Sequence, residues 1–330
     1  MTGLGRLLVA SKPCLPTFFL YILVVSVSLP AFFDASGAAL GDIFGRGTPE
    51  RDEKELLASR FSFLCIIAGS FMSILFAEPR AAMAASGLLQ LVSAAVALWW
   101  VRETLVDPKT MDWSLRNLSP LTFVKVFRKS RALTALGVLT MVVDAPQYLN
   151  VVGVYQRQRF AGSWGRTQES IQRPISMAAK FLGTLVAAGT MGRLGLRGAA
   201  RLDAWCSALY CLSVAYAPRM EVFFLVPLIS IFQHGGMSLQ RVLQLEADKV
   251  GVGVGELAAA QGRMDLFAEL LMPYFFTFLY MRFGDSLPQA PFLAAMVGHL
   301  IAGELVLPWA FRRLSPSVAE KARPTSAQAA

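Results

Sequence analysis

The sequence is poor in the side chains on which most soluble enzymes depend. It has two histidines, His234 and His299, and four cysteines, Cys14, Cys65, Cys206 and Cys211, in 330 residues. The cysteines form no CxxC pair and no histidine stands near them in sequence, so a zinc site is not expected. They read as small apolar fillers. No HExxH or GxSxG motif is present, and the chain reads as a non-enzyme that needs neither cofactor nor metal. Charged residues are scarce as well, at 16%, against roughly 25% in soluble domains. What remains is apolar: 55% of residues are hydrophobic and mean hydropathy is +0.51. A soluble globule of this length has too little interior to hide that surface, and disorder requires low hydrophobicity. The expectation is an all-α, polytopic helical bundle whose main partner is the lipid bilayer.

A spanning helix needs about 20 mostly apolar residues. Nine segments qualify: 15–42, 59–77, 80–101, 132–155, 169–191, 201–217, 221–243, 256–281 and 290–311. Pro30 bends the first, and the sixth is short, bounded by Arg201 and Arg219. Two connectors are long: the charged 43–58 and the basic 102–131. Nine spans place the termini on opposite sides. With the C-terminus in the cytoplasm, 21 of the 31 Lys and Arg residues fall on the cytoplasmic side and 8 on the other; Arg173 and Lys180 lie inside a span. That asymmetry follows the positive-inside rule and accounts for the formal net charge of +9 without nucleic acid. An N-terminal signal peptide, with Arg6 and Lys12 ahead of an apolar stretch and Ala35-Ser36-Gly37-Ala38 as the cleavage site, would invert this arrangement. An uncleaved helix is the expectation.

The basic connector has internal order. Leu121, Val124 and Phe127 recur at helical spacing against Lys125, Arg128 and Lys129. Two readings stay open: an amphipathic helix lying on the membrane surface, or a solvated cytoplasmic helix. The polar stretch after Leu314 is expected to be disordered.

Ionisable groups inside a membrane are costly, so each is a candidate for function. Counted from the span ends, Asp144, Lys180, Gln233, His234 and Glu269 all sit near mid-depth, in four of the last six spans. Helices facing a common cavity would bring them to a midplane site. A low dielectric disfavours the charged form of a carboxylate, which can then carry a proton near neutrality. Asp144 and Glu269 are thus candidate proton or cation sites, with Lys180 as counter-charge and Gln233 and His234 as hydrogen-bonding groups. A static ion pair holding the bundle together is the competing reading. Pro146 follows Asp144 closely and weakens the helix there, which makes that stretch, with Gln147, a candidate hinge and binding element. Three weaker candidates are Asp34, after the Pro30 bend; Arg173, on the same helix face as Lys180; and Asp265, one turn before Glu269.

Several motifs resemble the major facilitator superfamily, most closely its tetracycline-efflux-like branch. Gly41-Asp42-Ile43 and Thr48-Pro49-Glu50-Arg51 resemble the end of the family's fourth helix and the turn after it. Residues 118–134 resemble the linker helix that enters the seventh helix, and Met191 to Leu202 resembles a degraded copy of its loop motif between the eighth and ninth. Gly255-Glu256-Leu257, Ala260-Gln261-Gly262, Pro273 and Phe276-Thr277 resemble its eleventh helix. The resemblance implies a partial major-facilitator fold in which the nine spans stand for helices four to twelve. Residues 1–101 would then be a partial N-terminal half, 102–131 the cytoplasmic linker, 132–312 a six-helix C-terminal half and 313–330 a disordered tail. It implies secondary transport of a small organic solute by alternating access, with protons as a coupling ion to be tested. The antiporter signature Gly-Pro-x-x-Gly-Gly is absent, and the second-half loop motif lacks its acidic residue. The three missing helices leave open a chain inactive alone, an incomplete sequence, or completion by a partner chain. A non-transporting membrane scaffold or receptor is the alternative.

Overall fold

The computed structural model describes residues 2–12, 79–100 and 123–323, with single residues at 14, 17, 54, 57, 60 and 64. The candidate Asp34, the first two expected spans and most of both long connectors lie outside the described residues. Within them the chain is helical, with no strand.

Helix α1 (Thr2–Ser11) packs against α2 (Pro79–Trp100), an apolar helix of small residues and leucines. Helix α3 (Phe123–Phe127) belongs to the basic connector. It rests on the bundle, on a face different from the expected one: Val126 and Phe127 are buried, Phe123 meets Phe267 at 6.5 Å between ring centroids, and Val124 is exposed. It packs against the long helix beginning at Val254.

Five helical segments are long and apolar enough to cross a membrane: Arg131–Arg159, Thr167–Tyr216, Met220–Lys249, Val254–Phe283 and Ala290–Phe311. The first comprises α4 (Arg131–Asp144), a 3-10 turn (Ala145–Tyr148) and α5 (Val152–Arg159). Ser130 caps α4 by accepting from the Leu133 N–H at 3.0 Å. Helix α6 (Arg166–Tyr216) has 51 residues, about 75 Å at 1.5 Å per residue, more than twice the roughly 30 Å hydrocarbon core of a bilayer. It is broken at Gly195, whose φ of 69° and ψ of 171° are non-helical. Glycine alone takes that conformation cheaply. The third segment is α7 (Met220–Leu225), a 3-10 stretch (Val226–Phe232) and α8 (Gly235–Lys249). Then come α9 (Val254–Phe283) and α10 (Ala290–Ile301), which runs through a π-turn (Ala302–Val306) into α11 (Leu307–Phe311).

Two large apolar cores and a smaller cluster of Cys211, Phe276 and Ala295 hold these segments. One large core gathers Leu133, Leu136 and Leu139 of α4, Leu196 and Ala200, Val242 and Leu243, Leu257 and Met264, and Leu307 and Ala310. The other gathers Val151 and Tyr155, Trp164, Val214 and Ala215, Phe223 and Val226, and Phe292. In the second, the Tyr155 hydroxyl donates to the Ala215 carbonyl at 2.5 Å, and Arg159 donates to both the Ala217 carbonyl and the Tyr155 oxygen. Many large apolar side chains elsewhere, such as Leu182, Leu185, Leu209, Leu270, Phe278 and Leu305, face outward, as a lipid-facing surface would.

Residues 315–323, expected to be disordered, fold onto the first core. Val318 and Ala322, one turn apart, are buried on it, and α12 (Pro316–Lys321) carries them. Glu246, 2% exposed, accepts from the Ser315 N–H at 2.6 Å and its hydroxyl at 2.8 Å. Lys249 bonds to Ser315 and Ser317, and the Leu196 N–H freed by the Gly195 break donates to the Ala322 carbonyl at 3.0 Å. The apolar i, i+4 pair and these caps order a stretch whose composition alone reads as disordered. Arg201 and Glu304 pair nearby, and the Trp205 indole donates to the same carboxylate at 2.7 Å.

Candidate functional site

Between the two cores lies a cavity of about 490 Å³. Four segments line it, each with the part of its length that separates the cores. On the first segment the order is Leu133–Leu139 in one core, Val143 to Val152 on the cavity, and Tyr155 in the other core. In α6 the order is Leu196, then Asp203 to Cys211, then Val214. In the third segment Phe223 and Val226 precede Ser230 to Leu239, which precede Val242. In the last, Phe292 precedes His299, which precedes Leu307. The first half of α6 contributes Ser176 and Lys180.

Two of the lining stretches are not α-helical, and proline is the reason for each. Pro146 and Pro227 have no N–H to donate, and each sits in a 3-10 stretch that interrupts its segment. The second interruption continues through Gln233 and His234, so that α8 begins afresh at Gly235 inside the bundle. A new helix start leaves backbone N–H groups without intrahelical acceptors. Asp203 stands at this start, with its carboxylate packed against Gly235. The approach is so close that a Cβ on Gly235 would lie 2.5 Å from the Asp203 Cβ. The Ser207 hydroxyl donates to Asp203 at 3.3 Å, and the Gln233 amide donates to Ser207 at 3.2 Å. A carboxylate at a helix N-terminus is also favoured by the helix dipole.

His234 is 4% exposed. Its Nδ1 lies 3.3 Å from the Ile231 carbonyl, and its Nε2 is buried with no hydrogen-bond partner among the described residues. The Ile231 carbonyl is itself fixed from behind, since Gly183 of α6 packs against it; a Cβ on Gly183 would lie 2.8 Å from that oxygen.

Of the residues expected from sequence, Gln147, Lys180, Gln233 and His234 line this cavity. Asp144, Asp265 and Glu269 are not among the lining residues; Tyr148 lies within electrostatic reach of all three, and Asp144 within reach of Asp203 as well. The Gln147 amide donates to Asp144 at 3.1 Å. Lys180 was expected as the counter-charge of Asp144 and Glu269; the carboxylate that feels its charge is Asp203. Arg173 is exposed and is not among the cavity residues.

Sequence reasoning missed Asp203, Ser207 and His299. The sixth expected span begins at 201, which leaves Asp203 at its boundary. The helix in fact runs from the Gly195 break, and Asp203 lies two turns inside it. His299 sits mid-way along 290–311, and the depth count that singled out His234 applies equally to it. No group of three or more metal-ligating side chains forms among the described residues. No protein-family model matches the chain, and no curated protein does.

Proposed function

We propose that this protein is a secondary transporter that moves a small organic solute by alternating access. The observation that carries the reading is a cavity with polar residues on its walls between two apolar cores, on four segments of membrane-crossing length, two of which are broken where they line it. Discontinuous helices around a mid-membrane cavity are the way transporters expose backbone and polar groups to a solute. The cavity volume is in the range of small-molecule sites.

A major-facilitator architecture is part of this proposal. Counting α6 as two passes across Gly195 makes six passes in residues 131–311, or two triplets. The first pass of each triplet is interrupted by a proline in a 3-10 stretch, at Pro146 and Pro227. The second pass of each carries an internal proline, at Pro174 and Pro273. Prolines in the corresponding passes of each triplet are in keeping with repeated three-helix units. A cytoplasmic C-terminus belongs to the same proposal.

Protons are the proposed coupling ion, carried by the carboxylates around Tyr148. In proteoliposomes, Glu269→Gln abolishes proton-dependent uptake or efflux while solute exchange continues. A pH dependence unchanged from the parent chain would remove Glu269 from the coupling role.

A further inference from the structure

Resting on the transport reading above, we infer that the solute is a small organic acid: one carboxylate held by Lys180, and a hydroxyl or N–H donor that meets His234.

The charges in the cavity point to an anion. Lys180 and Asp203 are the cationic and anionic side chains that line it. They are not equally available. Asp203 is engaged by the Ser207 hydroxyl at 3.3 Å, and its carboxylate is packed against Gly235 at the start of α8, where the helix dipole favours its charge. Lys180 is exposed to the cavity, and among the described residues its ammonium makes no hydrogen bond and no ion pair within 4 Å. A cationic solute would find the cavity carboxylate occupied. An anionic one finds three unused ammonium donors.

The imidazole adds a second requirement. A carbonyl only accepts, so the bond between His234 and Ile231 puts the proton of the neutral ring on Nδ1. Nε2 then presents a lone pair, and this is the atom that lacks a partner. Buried polar atoms are nearly always satisfied, and the group that satisfies this one must donate. A plain carboxylate cannot; a hydroxy acid or an N–H-bearing acid can. Val143, Leu149, Val152 and Met237 supply apolar wall for the body of the molecule.

Three matched probes separate these features. Mandelate has a carboxylate and a hydroxyl, phenylacetate has the carboxylate alone, and mandelamide has the hydroxyl but no charge. Binding of each to the full chain in detergent is measured by the rise in thermal midpoint with concentration, which reports affinity for the folded state. The expected order is mandelate, then phenylacetate, with mandelamide weakest. Lys180→Met weakens mandelate by about tenfold or more, the loss of one charge-assisted hydrogen bond. It leaves mandelamide unchanged. Lys180→Arg retains most of the affinity, and Arg282→Met, at an exposed position away from the cavity, changes nothing. Equal binding of mandelate and mandelamide to the parent chain, no response to any probe at millimolar concentration, or mandelate binding unaltered in Lys180→Met would overturn the proposal. The comparison of acid with amide needs no variant and stands even where Lys180→Met fails to fold. Failure here is distinct from failure of transport: Lys180-dependent mandelate binding in a cavity reached from one side only would keep the substrate class and remove transport, whereas two-sided access with equal acid and amide binding would do the reverse.

Discussion

Asp203→Ala lowers the thermal midpoint of the purified chain by roughly 3–6 °C, from a loss of about 2–4 kcal/mol, and abolishes solute binding in the cavity. The size follows from what the carboxylate does. It accepts from Ser207 at 3.3 Å and stands against Gly235 at the start of α8. Alanine leaves the start of α8 without a carboxylate inside the bundle, where water is a poor substitute. Asp203→Asn, which keeps one carbonyl acceptor, recovers part of the stability. The measurement is scanning fluorimetry in detergent across the three proteins. An alanine variant with the parent's midpoint would mean that the broken helix is not held by this side chain.

Gly183→Val has the second large effect, a loss of about 3 kcal/mol by overpacking. A Cβ there would stand 2.8 Å from the Ile231 oxygen, a backbone atom that cannot rotate away. The 3-10 stretch must then shift, and the shift carries away the acceptor that orients His234. Gly189 and Gly153 have open space at the Cβ position, and valine at either is tolerated within a few tenths of a kcal/mol on steric grounds. Comparing the three substitutions in one thermal series checks the packing claim. Equal midpoints for Gly183→Val and Gly189→Val would sink it.

The helical class was legible in composition and span length: five of the described segments are helices long and apolar enough to cross a membrane. Helix ends and breaks were legible where chemistry marks them: Ser130 as a cap, Pro146 as an interruption. Four of the six principal candidates, Gln147, Lys180, Gln233 and His234, do line one cavity, since depth in a span is a one-dimensional quantity that sequence carries well. Which face a residue turns to is not. Asp144 and Glu269 match the cavity residues in depth but are not among those that line it. Asp203 was lost to a span boundary drawn at Arg201, and the tail after Leu314 was lost to its polar composition. In both cases a distant segment decided the outcome: the helix start at Gly235 packs against Asp203, and Glu246 and the Gly195 break give the tail its partners. Val124, read as part of an apolar stripe, faces outward because Phe123 and Val126 fit the neighbouring helix instead.

The central claim is that the cavity opens to each side of the membrane in turn. Ser176 lines it and is half-buried, and the chain's four cysteines can be replaced by serine to leave one reporter. In sealed vesicles of both orientations, Ser176→Cys on that background is challenged with a membrane-impermeant thiol reagent from outside. Alternating access predicts labelling in right-side-out and in inverted vesicles alike. Labelling in one orientation only, or in neither, would contradict it.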